Sequence, residues 1–246
     1  MGVRSFEAKT AVSPQLIDNS LRIIEKALMR GKAIVAYSGG KDAIAVSLLA
    51  QKLGVNDGVC ELSFAFTQQE IDIRKQAAAL GFNIHYKKKL DLPWLAKHPQ
   101  FVFSNDSKNV NAFCQLRQRN SAEQYAAQNG YKCVITGRKN QGNSIPEAIH
   151  ERRNGTIGVH PIREWTDGDI WAYLRDNGIP MPWIYSTPFG RSEGNSGWPL
   201  LREYPDRKRN YAVVYGIEPG IVIEAARFNI AEAAEFLAMN NIAQEN

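Results

Sequence analysis

Ser38-Gly39-Gly40-Lys41-Asp42 is the stretch of this chain whose residue types and spacing point most directly to chemistry. Glycine has no Cβ, so the Gly39-Gly40 backbone can come close to an anion. Ser38 can donate a hydroxyl hydrogen bond, and Lys41 brings a positive charge. The run Ala33-Ile34-Val35-Ala36-Tyr37 before it is apolar and β-branched, and Ile44 to Leu53 after it is apolar at helical spacing. Strand, glycine turn and helix start therefore follow one another, and the free N–H groups of a first helical turn point into the turn. That geometry binds phosphate. It is not the Walker loop, which needs Gly, four residues, Gly-Lys and then Ser or Thr. Position 43 is Ala, so a phosphate there meets a backbone N–H but no hydroxyl. The candidate nucleotide-binding residues are Tyr37, Ser38, Gly39, Gly40, Lys41, Asp42 and Ala43. The plainer alternative is a glycine turn that only joins strand to helix.

Other reactive residues form no constellation. Cys60, Cys114 and Cys133 are the only cysteines. They show no Cys-x-x-Cys spacing, and three cannot supply the usual four thiolates of an iron–sulfur cluster. No cluster and no disulfide framework are expected. His85, His98, His150 and His160 lack metal-ligand spacing. Ser104 and Ser107 lack the glycines of a nucleophile elbow. The net charge of +5 favours anionic ligands without proving a nucleic-acid partner.

The elements that must position the glycine turn read as an alternation. Ser13-Pro14 starts a helix that stops at Gly31. Strands are expected at 33–37, 59–66, 82–86, 132–136 and 156–160. Helices are expected over 42–53, 69–80, 114–129 and 170–177, the last starting at Thr166-Asp167-Gly168-Asp169. Residues 87–111 hold two prolines and weak periodicity, and read as a loop-rich insertion. From Tyr185 the chain is Gly-, Pro- and Arg-rich to Asn210, then apolar. Residues 225–239 suit one helix or two short ones, with Asn229 as a cap. The expected class is α/β: a five-stranded, mostly parallel sheet sandwiched by helices. A nucleotide-binding domain over 1–185 would carry a C-terminal extension over 186–246. Ligands of such sheets bind beyond the carboxyl ends of the strands, where the first loop and Gly137-Arg138 would both lie. No apolar run approaches the ~20 residues of a membrane span, and Met1 to Thr10 has no apolar signal core. A cytoplasmic protein without a membrane partner is expected, with room for a protein or nucleic-acid partner or a homodimer.

Three segments resemble the phosphoadenosine-phosphosulfate reductase family, a branch of the PP-loop superfamily of ATP pyrophosphatases and adenine-nucleotide α-hydrolases. Ser38 to Asp42 resembles the PP-loop. Val134-Ile135-Thr136-Gly137-Arg138 resembles the family's strand ending in Gly-x-Arg, one residue shorter. His160-Pro161-Ile162-Arg163-Glu164-Trp165-Thr166-Asp167-Gly168-Asp169-Ile170-Trp171 resembles its Pro-Leu-x-x-Trp-Thr-x-x-Asp-Val-Trp segment, and weaker similarity runs through Pro188 to Ser192. The resemblance implies an adenine-nucleotide pocket bordered by Phe66 and Thr67. Gly137 and Arg138 would sit at the phosphate or sulfate end, and Arg163 is a further candidate phosphate contact. Lys41, Asp42 and Arg138 would be the catalytic residues. Asp42 would either ligate Mg²⁺ with ATP or serve as a helix-start acid.

The departures steer the function. The reductases use a cysteine near the C-terminus, and no cysteine follows Cys133 here. An ATP pyrophosphatase that adenylates an acceptor in a modification reaction is therefore expected. The alternatives are a non-catalytic nucleotide- or sulfonucleotide-binding subunit of a nucleic-acid modification complex, and a nucleic-acid-binding protein with a vestigial pocket. Sulfonucleotide reduction ranks behind them.

Overall fold

The computed structural model describes residues 11–140, 147–188, 197–230, 232–240 and 242. Pro14 opens α1 (Pro14–Leu28), with Ser13 before it. The Ser13 hydroxyl donates to Gln15 Oε1 instead of capping the helix. The apolar run forms β1 (Ala33–Ala36), and Lys41 starts α2 (Lys41–Gln51). β2 (Asp57–Glu61), α3 (Thr67–Ala79) and β3 (Asn83–Lys87) follow. The second strand ends five residues earlier than its apolar run suggests. The Glu61 carboxylate accepts from the N–H and hydroxyl of Ser63, and Phe64 takes a positive φ of 61°, so the chain turns there.

Residues 87–111 hold more structure than a loop. They form α4 (Leu92–Ala96), a 3₁₀ turn (Pro99–Phe101) and the start of α5 (Ser107–Cys114). Pro93 and Pro99 lie in first turns, where a missing N–H costs nothing. Asp91 and Asp106 cap α4 and α5 by accepting from Trp94 N–H and Lys108 N–H. The single helix expected over 114–129 is instead the end of α5, a π-helical turn (Gln115–Arg119) and α6 (Asn120–Gln128).

β4 (Cys133–Ile135), β5 (Ile149–Glu151), β6 (Ile157–Val159) and α7 (Asp167–Asp176) complete the sheet region. Among the described residues the sheet has six strands in the order β3-β2-β1-β4-β6-β5, one more than the five expected. β1 pairs in parallel with β2 and β4, and β4 with β6. The extra strand, β5, runs antiparallel to β6 across a turn closed by Gly155 N–H to Arg152 O. Its three residues are too few to show a period.

The tail folds as α8 (Arg207–Ile217), α9 (Pro219–Arg227) and α10 (Ala233–Met239). The two-helix alternative for 225–239 is thus the observed one. Asn229 caps neither helix start; it follows α9 at φ 54°, and Glu232 stands at the N-cap of α10.

The chain divides into two compact units. The first comprises 1–60, 75–86 and 120–182; the second comprises 61–74, 87–119 and 183–246. In the first, Ile34, Val59, Ala126, Tyr131 and Val134 form a core cluster beside the sheet. In the second, Phe66, Phe103, Phe113, Trp198, Tyr211 and Leu237 are buried together, so three separated segments feed one core.

Candidate functional site

The candidate site lies in the first unit, beyond the carboxyl ends of β1 and β4. These strands pair in register, Val35 with Ile135, so the chain leaves both at the same edge. Gly39 takes φ 68°, a left-handed conformation that glycine adopts at no steric cost. The Gly40 N–H reaches back to Ser38 Oγ at 3.4 Å, and Gly40 stands at the N-cap of α2. The turn therefore closes on itself and presents the first turn of a helix.

Gly137 packs directly against this turn. A Cβ at Gly137 would fall 2.7 Å from the Asp42 carbonyl carbon and 2.8 Å from its Cβ and O. Only glycine permits the two loops to approach so closely. The structure thus brings Ser38–Asp42 and Gly137 together.

Two lysines and two aspartates meet here. Lys41 Nζ lies 2.8 Å from Asp42 Oδ2 and 3.2 Å from Asp167 Oδ1. Lys139 Nζ lies 2.9 Å from Asp42 Oδ1 and hydrogen-bonds the same Asp167 Oδ1. The Lys139 side chain is only 5% exposed and Lys41 12%, against 36% for Asp167. Burial alone would lower the Lys41 pKa, but Asp42 and Asp167 outweigh it and hold it above the usual lysine value. Burial alone would raise Asp167, but hydrogen bonds and charge from Lys139 and Lys41 hold it below the usual carboxylate range.

Neither Lys139 nor Asp167 stood out in the sequence. The signal for Lys139 was its place directly after the strand-end Gly137-Arg138. Asp167 was hidden inside a helix start. That start is a full capping box: the Thr166 hydroxyl accepts from Asp169 N–H, and Asp169 Oδ2 accepts from Thr166 N–H. Trp165 Nε1 donates to Ser20 Oγ on α1, so much of this segment serves the fold.

The other sequence candidates fall as follows. Tyr37 is buried, and its ring stacks on Phe82 at 6.4 Å. Ala43 is buried in the first turn of α2, where its carbonyl accepts from the Ser47 hydroxyl. Arg138 is half-buried and bears electrostatically on the stacked pair His150 and His160, whose rings lie 5.1 Å apart. Arg163 Nε lies 2.8 Å from Glu164 Oε1. Phe66 and Thr67 belong to the second unit. Phe66 is buried edge-on against Trp183, and the Thr67 N–H and hydroxyl both donate to the Glu218 carboxylate. Of the segment 188–192, all but Pro188 lies outside the described residues.

The donor set does not fit a protein-held Mg²⁺. Both Asp42 oxygens face ammonium groups, which repel a dication. Among the described residues no three His, Cys, Asp or Glu side chains converge as a metal site. What the arrangement can do is bring two ammonium groups, each paired with Asp42 and Asp167, and a helix N-terminus to an anion.

Known proteins share this framework. The profile of the phosphoadenosine phosphosulfate reductase domain matches residues 32–191. An uncharacterized protein of Methanocaldococcus jannaschii is 23% identical over 172 residues, covering 63% of this chain and 39% of the relative. The adenosine 5'-phosphosulfate reductase of Neisseria meningitidis is 22% identical over 102 residues, covering 40% of this chain and 41% of the relative. The matches thus span about two fifths of both relatives' lengths. Among solved structures, the phosphoadenylyl-sulfate reductase of Candida auris in its phosphate complex superposes with a TM-score of 0.51 at 19% identity, covering 72% of this chain and 92% of that one. The NMN synthetase of Francisella tularensis gives 0.50 at 15% identity, covering 68% and 71%. At these identities the likeness to the solved structures is one of fold. With the profile covering well over half of its length, the chain belongs to the phosphoadenosine phosphosulfate reductase domain family.

Proposed function

We propose that this chain is a PP-loop enzyme that binds ATP and cleaves it between the α- and β-phosphates, adenylating an acceptor in a modification reaction. The carrying observation is the pair of partly buried ammonium groups, Lys41 and Lys139, at a glycine turn that opens a helix. In the proposed step an acceptor oxygen attacks the α-phosphorus. The bond from that phosphorus to the oxygen bridging to the β-phosphate breaks, and pyrophosphate leaves with the electron pair. Charge accumulates on the leaving oxygens, and preorganised cations stabilise it. The Gly39-Gly40 turn and Ser38 would hold phosphate oxygens, and Lys41 and Lys139 would neutralise them. Arg138 would face the developing charge. Arg163 would contact phosphate. A cytoplasmic setting is part of the proposal; among the described residues, no helix is long and apolar enough to cross a membrane.

Thiol chemistry has less support. Cys60 and Cys133 are buried, and burial pushes the Cys133 thiol up, away from the reactive thiolate. A second reading, a nucleotide- or sulfonucleotide-binding subunit without turnover, is favoured by Ala43, which supplies no hydroxyl at the first turn of α2. Incubation with ATP and Mg²⁺, with and without candidate acceptors, separates the two. AMP with pyrophosphate, or an adenylated acceptor, is expected, and Lys41→Ala is expected to abolish it while the protein still unfolds in one cooperative transition. Tight binding of ATP that stays intact with every acceptor would support the second reading.

A further inference from the structure

We infer that Asp167 is a built-in competitor at the phosphate seat, displaced whenever a phosphate ligand binds. The inference rests on the phosphate-binding reading of the same site. Its geometric basis is a difference between the two aspartates. Asp42 spans the lysines with two oxygens, Oδ2 to Lys41 and Oδ1 to Lys139. Asp167 reaches both lysines with the single atom Oδ1. One anionic oxygen shared by two ammonium groups is the contact a phosphate oxygen makes. The Asp167 carboxylate therefore stands where a ligand oxygen would sit.

The two aspartates also differ in freedom. Asp42 is pinned, because its backbone and Cβ lie under Gly137. Asp167 is the first residue of α7 and the most exposed member of the quartet. The cap of α7 uses Thr166 and Asp169, not Asp167. Swinging the Asp167 carboxylate into solvent thus leaves the helix start intact. With both aspartates in place the quartet carries no net charge, two ammoniums against two carboxylates. With Asp167 displaced it carries one positive charge for the ligand.

Displacement has a distinctive signature. A competitor that must leave lowers the affinity of every ligand by the same factor. A carboxylate that stays beside the ligand repels it in proportion to ligand charge. Titration calorimetry of the full chain with inorganic phosphate and with inorganic pyrophosphate tells these apart. In Asp167→Asn both anions are expected to bind about tenfold more tightly, by a common factor, since one partner of a partly buried charge pair is gone. Asp176→Asn, a charge removed at the other end of α7, is expected to change neither. Asp167→Ser carries the same expectation should the Asn variant fail to fold. Tightening that is much larger for pyrophosphate would overturn displacement. Wild-type binding left unchanged or weakened by Asp167→Asn would also overturn it, while the phosphate reading stands. No binding of either anion to wild type or variants would remove both.

Discussion

At the residue scale the buried imidazole of His160 makes the sharpest demand. Burial, and then the neighbouring His150, Arg138, Arg152 and Arg163, lower its pKa to about 3. Its Nδ1 shares a hydrogen bond with the Thr136 hydroxyl at 2.7 Å. In the unfolded chain the ring takes up a proton below about 6.5; in the folded protein it stays neutral down to about 3. Between those values the unfolded state binds more protons, so stability is whole above 6.5 and falls as the pH drops through the window. The slope is at most about 1.4 kcal/mol per pH unit. Urea midpoints from pH 7 to pH 5 are expected to fall less in His160→Gln than in wild type. Equal slopes would mean the ring protonates in the folded state. His150, held low by burial and then Arg152, acts in the same direction and remains in the variant. None of this was legible in the sequence, where four scattered histidines showed only that no metal spacing exists. The glycine turn was legible because its chemistry is local: Ser, two glycines and Lys are contiguous. Lys139 and Asp167 were not, because their roles arise from partners that only the fold supplies.

At the scale of elements, the contact between the first loop and the end of β4 decides whether the site exists. Gly137 is the hinge of that contact, and the atoms its absent Cβ would strike are the backbone of Asp42. Backbone cannot step aside as a flexible side chain can. Gly137→Ala is therefore expected to cost about 1–3 kcal/mol, the usual range for overpacking, and to lower pyrophosphate affinity sharply by lifting Asp42. A melt and a titration on the same sample check both. Normal affinity would show that the loops need not touch. The strands themselves were readable as apolar runs between glycine stops. The overshoot of β2 was not, since Glu61 terminates it through Ser63 and through the Lys89 N–H, a residue from another segment. Helices α4 and α5 were unreadable for the opposite reason. They are too short to show a period, and Pro93 and Pro99 looked like breakers although they sit in the tolerated first turns of α4 and of the 3₁₀ turn between the two helices.

For the whole molecule the informative feature is how the second core is assembled. Phe66 comes from the loop before α3, Phe103 and Phe113 from the 87–119 segment, and Tyr211 and Leu237 from the tail. Phe103 meets Tyr211 edge to face at 4.8 Å. The tail also holds a loop far from it in sequence, since Glu218 takes both Thr67 bonds across 151 positions. Apolar periodicity reveals that each segment has a buried face, but not which faces meet. The sequence therefore suggests a tail appended to a finished domain, whereas in the structure the tail completes a core begun elsewhere. Removing it should leave apolar side chains without partners. A chain ending at Tyr185 would lose Trp198, Leu200, Tyr211, Val222 and Leu237 from that core, all nearly fully buried. Each large side chain buried there contributes roughly 1.5–3 kcal/mol, and the whole protein has only about 5–15 kcal/mol to lose. The shortened chain is expected to be insoluble, or to bind a hydrophobic dye and melt without cooperativity. A soluble product with a sharp transition near the full-length temperature would show that residues 1–185 form a self-sufficient domain and that the tail is accessory.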